Sequence, residues 1–397
     1  MEKRFPWKKV LILAATHLGV AALAVCLTLV VANSAKDPGQ RKLEQIAAYI
    51  QRYHVDHPDM DQVYDYAAAG MVAGTGDRWS YYVSASEMAA YNDSKKNSYV
   101  GVGITVQNRE DETGIDVLTV TPGGPAYEAG ILPGDVIVGV DDADVKKESV
   151  TELSDRIKGE EHTDVHITVL RDGQTLEFTV TRRRIDVKVA QGKLLEGNVG
   201  YIKIANFNEK CSDETIAAIE ELVRQGAEYL VFDVRGNPGG YKDELVKVLD
   251  YLLPEGDLFR SVDYLGREEV DDSDASCLKM PMAVLINGDS YSAAEFFAAA
   301  LEEYDWAITG GEPTVGKGHM QVTYKLHDNS AVALSVGKYY TPKGVSLADQ
   351  GGLTPKIHVP VDEETAALIA SDLLEPEKDE QLQAVIEALT GKSQEKP

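Results

Sequence analysis

Met280-Pro281-Met282-Ala283-Val284-Leu285-Ile286-Asn287-Gly288-Asp289-Ser290-Tyr291-Ser292-Ala293-Ala294-Glu295 opens the stretch that decides the fold. It runs on through an apolar segment to Thr314-Val315-Gly316-Lys317-Gly318-His319-Met320-Gln321. The apolar run 283–286, closed by Asn287-Gly288, reads as a buried strand ending in a turn. Small residues then start a helix over 293–304. A hydroxyl at a strand-to-helix junction faces helix N–H groups, a suitable setting for a nucleophile. Lys317 lies between two glycines that let the backbone pack closely. The stretch offers Ser292 as nucleophile and Lys317 as its base.

Other readings of the same residues stay open at this level. Ser292-Ala293-Ala294-Glu295 also spells a helix capping box, Ser290 competes on composition, and most lysines are surface residues. His319, His327 and His358 are rival bases, with Asp305 or Asp328 to orient one of them, although no Gly-x-Ser-x-Gly elbow surrounds Ser292. A lysine base must be neutral, so its pKa must fall from about 10.4 to roughly 7–8 through burial. Val315, Met320 and the glycines suit an apolar slot. Gln321 can orient the ammonium without adding the charge that would raise its pKa. Phe232-Asp233-Val234-Arg235-Gly236-Asn237-Pro238-Gly239-Gly240 ends another strand. Gly239 and Gly240 can turn N–H groups toward a developing oxyanion, with the Ala293 N–H as a further donor. The plain alternative is a strand-to-helix turn in which Asp233 and Arg235 pair internally.

Working outward, strands at 199–204, 229–234 and 283–286 alternate with helices at 213–224, 241–251 and 293–304. That is an α/β pattern of parallel strands covered by helices. Segments 321–326 and 331–340 flank a four-residue loop as a hairpin, and the acid-rich 266–275 reads as a connection between elements. Upstream, short strands at 100–106, 115–120, 136–140, 165–171 and 176–181, with a helix at 150–158, make a separate small domain. Two of its segments resemble a PDZ domain. Val100-Gly101-Val102-Gly103-Ile104 stands where such domains hold a peptide carboxylate, and Leu132-Pro133-Gly134-Asp135-Val136-Ile137 matches the run into the central strand. Arg182-Arg183-Arg184 reads as a solvated linker; the sharper reading is that one of these, or Arg171, senses bound peptide.

The chain holds 39 basic and 65 acidic residues for a net charge of −26, which argues against a nucleic-acid-binding surface. Residues 10–32 form an apolar run behind Lys3, Arg4, Lys8 and Lys9, about 34 Å long as a helix. It reads as an uncleaved signal anchor in preference to a cleaved signal. The basic arm then stays in the cytoplasm and the catalytic body lies outside, in the cell envelope. Cys211 and Cys277 could form one bridge at most, and no His/Cys cluster has metal-ligand spacing.

With these motifs in place, the chain resembles the carboxy-terminal processing proteases, tail-specific serine peptidases with a PDZ domain. The resemblance spans about 43–389. Asp233 to Gly240 matches the family's Asp-Leu-Arg-x-Asn-x-Gly-Gly, Ser290 to Glu295 its nucleophile segment, and Val315 to Gly318 its Phe-Gly-Lys-Gly. Gly351-Gly352-Leu353-Thr354-Pro355 and Asp77 to Tyr82 match further family signatures. Tyr291 and Ala294 depart from the family's small residue and serine. The resemblance implies an α/β, crotonase-like protease core with an inserted PDZ domain and terminal helical segments. The expected division is a basic arm and anchor at 1–35, a helical cap or dimerisation region at 36–95, the PDZ domain at 96–184, the protease core at 185–360 and a helical tail at 361–397. It further implies a Ser292–Lys317–Gln321 catalytic set, an oxyanion hole from Gly239, Gly240 and Ala293, no metal or cofactor, protein substrates held by their C-termini, and a homodimer. The competing class is a non-catalytic PDZ scaffold at the membrane surface.

Overall fold

The computed structural model describes residues 13, 15–25, 28, 37–109, 111 and 113–391 of the 397-residue chain. Two compact units result, one ending at Gly76 and one beginning at Asp77, so the boundary falls inside the expected 36–95 region. The apolar run 10–32 is described at 13, 15–25 and 28, where it is helical and exposed. Among the described residues no helix is long and apolar enough to cross a membrane. In this first unit α1 (Pro38–Tyr53) and α2 (Met60–Ala73) start at Asp37 and Asp59, whose side chains each accept a backbone N–H two residues on. Leu43, Ile46 and Tyr49 of α1 stay exposed.

The second unit begins with β1 (Tyr81–Val83) and α3 (Met88–Lys95) and then builds a small β-rich domain. Its elements are β2 (Ser98–Gly101), β3 (Ile104–Asn108), β4 (Ile115–Val120), α4 (Pro125–Ala129), β5 (Val136–Val140), β6 (Ala143–Asp144), α5 (Val150–Ile157), β7 (Asp164–Arg171), β8 (Gln174–Thr181) and β9 (Arg183–Asp186). The sheet runs β3-β4-β5-β7-β8, with β3 at an edge, while β2 pairs with β9 in a separate ribbon. Alternation along β7 buries Val165, Ile167 and Val169 and exposes Asp164 and His166. The single strand expected over 100–106 is broken at Val102-Gly103. Gly103 takes φ 80°, and the two carbonyls there accept from Ala126 and Thr121 N–H groups at 2.9 Å. The Arg182–Arg184 run is no solvated linker. Arg183 and Arg184 lie in β9, and buried Arg182 donates to the Ile157 carbonyl at the end of α5 at 2.6 Å.

The remaining elements form the larger core: β10 (Ala190–Leu195), β11 (Val199–Ile204), α6 (Cys211–Arg224), β12 (Tyr229–Asp233), α7 (Lys242–Leu252), β13 (Gly256–Asp263), β14 (Glu268–Ser273), β15 (Met282–Ile286), α8 (Ala293–Glu303), β16 (Ala307–Gly311), β17 (His319–Lys325), β18 (Ala331–Tyr340), α9 (Leu347–Gln350), β19 (Ile357–His358), α10 (Glu363–Ala370) and α11 (Glu380–Thr390). A six-stranded sheet runs β10-β11-β12-β15-β16-β19, parallel from β11 onward. Its central strand β15 is apolar and buried at every position, because both of its faces are covered. Leu230, Phe232, Met282, Val284 and Ile286 pack with α6, α7 and α8, whereas Val231, Ala283 and Leu285 pack with Leu382 and Val385 of α11. Helix α8 is buried from Ala293 to Leu301, and Phe296 and Phe297 each contribute roughly 1.5–3 kcal/mol of burial there. A second sheet combines β1, β13, β14, β17 and β18. The acid-rich segment expected as a connection is strand β14 in this sheet: Asp271, opposite Phe259, pairs with Lys242 of α7 at 3.0 Å. Cys211 and Cys277 are both free.

Candidate active site

Strands β12 and β15 are parallel neighbours, and both end at the same edge. The turns that follow them are stitched together. Ser290, wholly buried, donates its hydroxyl to the Val234 carbonyl at 2.7 Å and accepts from the Asn287 N–H at 3.0 Å. Asn287 Oδ1 accepts from Gly236 N–H at 2.9 Å. That commits Ser290 to structure and leaves Ser292, two residues on, at the mouth of α8.

Ser292 has φ 59° and ψ −128°. This is a costly conformation for a residue with a Cβ, of the kind that strand-to-helix nucleophile turns use to project a side chain. Gly239 presses on it: a Cβ at Gly239 would stand 2.8 Å from Ser292 Cβ, Ala293 N and Tyr291 O. At Gly240 a Cβ would overlap the Phe207 backbone at 2.2 Å. These two glycines are required by close approach. Their N–H groups differ. That of Gly239 donates to Asn237 Oδ1 at 2.8 Å, whereas among the described residues those of Gly240 and Ala293 have no acceptor. Of the three expected oxyanion donors, Gly239, Gly240 and Ala293, the Gly239 N–H is thus taken by the Asn237 amide that shapes the turn, while those of Gly240 and Ala293 stay open.

Lys317 sits on the loop between β16 and β17. Gly316, at φ 82°, leaves no room for a Cβ against the Gly351-Gly352 backbone at 2.7–2.9 Å, so that later turn clamps the lysine loop. Leu353 N–H donates to Thr314 Oγ1 at 2.8 Å in the same clamp. From the other side, fully buried Glu295 accepts from Ser292 N–H at 2.8 Å, Gly316 N–H at 2.6 Å, Lys317 N–H at 2.8 Å and the Thr314 hydroxyl at 2.5 Å. One carboxylate ties nucleophile turn to lysine loop.

The Lys317 ammonium lies 5.0 Å from the Trp79 ring centroid and 5.5 Å from that of Tyr291, and Trp79 and Tyr291 pack at 6.1 Å. Burial, seconded by Lys95, holds its pKa below the ordinary lysine value against the opposing pull of Asp77 and Glu295. Among the described residues no hydrogen bond joins it to the Ser292 hydroxyl. Gln321 does not touch the ammonium either; its amide donates to the Trp79 carbonyl, so it braces the ring under the lysine. Trp79 is further held by its N–H to Asp77 at 3.0 Å.

Ser292, Lys317, Gln321, Gly239, Gly240 and His319 line one cavity of about 790 Å³, together with Tyr81, Tyr91, Tyr241, Tyr291, Lys95 and Lys325. His327 and His358 are not among its walls. His319 lines the same cavity as Lys317 and Gln321, and among the described residues its buried Nδ1 has no hydrogen-bond partner. A second cavity of about 810 Å³ lies between β3 and α5 and takes in all of Val100, Gly101, Val102, Gly103 and Ile104. Of the four arginines considered as sensors, Arg184 alone lines it, bonded to Asp93 of α3 at 2.5 Å; Arg171 is paired with buried Asp135 at 2.6 Å inside its own domain. Helix α3 is a wall of both cavities. Ala89, Ala90 and Asp93 face the groove, and Met88, Tyr91, Asn92 and Lys95 face the Ser292 cavity.

Sequence reasoning left Trp79, Tyr291, Glu295 and Lys95 without a site role. The aromatic segment around Trp79 was visible as a motif, but its distance from Lys317 in the chain hid the contact. Glu295 was visible only as a cap. Asp233 and Arg235 do pair, at 2.5 Å, and Arg235 also reaches Asp379 at 2.7 Å, fastening α11 to the sheet.

The profile of Peptidase family S41 matches residues 198–359, and that of the PDZ domain residues 117–171. The chain is 31% identical over 305 residues to the chloroplastic carboxyl-terminal-processing peptidase 2 of Arabidopsis thaliana, covering 73% of this chain and 59% of that protein. It is 30% identical over 346 residues to the carboxy-terminal processing protease CtpA of Bacillus subtilis, covering 83% of this chain and 73% of that one. A Bacteroides fragilis crystal structure classed with the S41 proteases shares the fold at TM-score 0.58 and 18% identity, covering 88% of this chain and 98% of its own. With the Ser292 turn, the clamped lysine and the edge-strand groove in one second unit, the chain belongs to the carboxy-terminal processing proteases of peptidase family S41, which join this core to a PDZ domain.

Proposed function

We propose that the chain is a serine endopeptidase that holds protein substrates by their C-terminal region and cleaves them by a Ser292–Lys317 acyl-enzyme mechanism. The observation that carries this is Ser292, held at φ 59° on the wall it shares with a half-buried lysine that, among the described residues, has no acidic partner within salt-bridge reach. Neutral Lys317, which leans on the Trp79 and Tyr291 rings in the same cavity, takes the Ser292 proton. The hydroxyl oxygen attacks the peptide carbonyl, and the Gly240 and Ala293 N–H groups receive the oxyanion. Lys317 then hands the proton to the leaving amine and activates the deacylating water. Gln321 acts through Trp79 in keeping the lysine placed. In the PDZ groove an incoming C-terminus adds to the free edge of β3, with its carboxylate at Val100–Ile104.

The sheet of parallel strands flanked by helices supports the crotonase-like description of the core. The apolar run at 10–32 and its basic arm support a membrane anchor with an extracytoplasmic body, and the exposed Leu43, Ile46 and Tyr49 stripe supports a homodimer through α1. The decisive test is cleavage of an unfolded protein substrate followed by gel electrophoresis. Ser292→Ala should leave no measurable cleavage while melting like the parent. Undiminished cleavage by that variant removes the proposal, and an inert parent that still binds C-termini points to the scaffold instead.

A further inference from the structure

The charge of the Ser292 cavity runs against that of the chain. The protein carries 65 acidic and 39 basic residues. Yet the cavity wall holds Lys95, Lys96, Lys317 and Lys325, and Glu209 is its one acidic residue. Lys95 ends α3, Lys96 caps it, and Lys325 ends β17, so two elements from distant parts of the chain converge on it. Elsewhere several cations have taken carboxylates: Lys242 pairs with Asp271 and Glu269, Arg184 with Asp93, and Arg171 with Asp135. Among the described residues Lys95, Lys96 and Lys325 have no ion pair. Lys95 instead lies 5.6 Å and 5.8 Å from the Tyr91 and Tyr241 rings, a platform that fixes the ammonium without neutralising it. Three ammonium groups without carboxylate partners on one wall make a local positive field that draws an incoming anion.

We propose that Lys95, Lys96 and Lys325 form an anion subsite that takes a carboxylate of the peptide lying across Ser292. This rests on the cavity being the one that receives substrate. The carboxylate can belong to an Asp or Glu side chain near the scissile bond or to the substrate's own C-terminus, and the chemistry at the lysines is the same. The whole-chain field opposes the idea: at −26, non-specific electrostatics disfavour an acidic peptide. A preference for one therefore has to come from the local wall.

The test uses full-length Ser292→Ala protein and fluorescent peptides read by anisotropy, so it needs no turnover. Three peptides, all amidated at the C-terminus to disengage the PDZ loop, differ only in carrying Glu, Gln or Lys at the same two positions. The Glu peptide should bind on the order of 5-fold or more tighter than the Gln peptide at low salt, and the Lys peptide weakest. That ratio should collapse toward one at about 0.5 M salt. It should invert in protein that also carries Lys96→Glu and Lys325→Glu, both at exposed positions. A fourth peptide, the Gln sequence with a free carboxylate, separates the sources. A gain over its amide that the lysine substitutions erase assigns the terminal carboxylate; a gain confined to the Glu peptide assigns the side chain. Equal affinity for Glu and Gln peptides with no such terminal gain overturns the subsite. So does a preference that survives both salt and the double substitution, or the absence of saturable binding by either anionic peptide. Failure of parent protein to cleave would sink the peptidase reading while leaving these affinities measurable.

Discussion

A lysine drawn out of water, with a second ammonium nearby, loses its proton more readily than one in solution. Lys317 is in that position, and its pKa lies below the ordinary 10.5 because of burial first and Lys95 second. Two consequences follow for pH. Activity should rise with pH as Lys317 deprotonates. Stability should move the same way, because the unfolded chain holds the lysine proton up to about its ordinary pKa while the folded chain releases it earlier. Below the folded pKa the native state bears the whole cost of burying the charge, and between the two values that cost is relieved. Lys317→Met removes it at every pH. The variant should therefore melt higher than the parent at neutral pH, with the gap closing as pH approaches 10.5. A gap independent of pH in differential scanning calorimetry would mean that Lys317 is not the group being titrated. None of this was readable at Gly316-Lys317-Gly318 itself. The glycines announced close packing, but the Trp79 ring that the ammonium faces and the Lys95 charge that helps lower its pKa come from more than two hundred positions upstream, where local pattern carries no record of the contact.

At the scale of elements, the parallel strands and their helices were legible because fully buried strands must be apolar at every position and their boundaries are marked by Gly, Asn and Pro. Strand β14 was not, since its Glu268, Glu269, Asp271 and Asp272 look like a solvated connection until Lys242 is brought beside them. The nucleophile turn was half legible. Ser292 and Glu295 read equally as a helix cap, and Glu295 indeed binds the Ser292 N–H. The added fact is that the same carboxylate holds the Gly316 and Lys317 amides, so helix α8 and the lysine loop are one piece. Glu295→Gln keeps the shape but presents an NH₂ to backbone donors. It should cost about 2–4 kcal/mol in chemical denaturation, as loss of a buried, charge-assisted network does. It should also lower kcat on the order of 10²-fold, the scale of a small misplacement of a catalytic group. A variant as stable as the parent but slow would place Glu295 in the chemistry; one destabilised yet fully active would leave it a cap alone.

In the second unit as a whole, two cavities share helix α3, and the question is whether filling the groove changes the chemistry or only holds the substrate. The helix is pinned on both sides. Arg184 grips Asp93 and Ser98 on the groove side. Toward the core, Glu209 N–H donates to the Lys95 carbonyl at 3.2 Å, Asn97 to the Glu209 carbonyl at 2.7 Å, and Asn206 to Asn97 at 2.7 Å. A wall so tied has little freedom to transmit occupancy, so the groove should act as an anchor that binds ground and transition states alike. Gly103 gives the means to test this, because it sits at φ 80° with only 3.1–3.2 Å between a would-be Cβ and the Ile185 and Thr121 side chains. Gly103→Val must distort the carboxylate loop. For a protein substrate with a free C-terminus it should raise KM on the order of 10-fold while kcat stays within about twofold, the pattern of lost uniform binding. The amidated substrate, which cannot use the loop, should already show the high KM with parent enzyme and shift little further. A fall in kcat for the free-carboxylate substrate alone would show instead that α3 yields, and that the occupied groove reaches Lys317 through Tyr91 and Lys95.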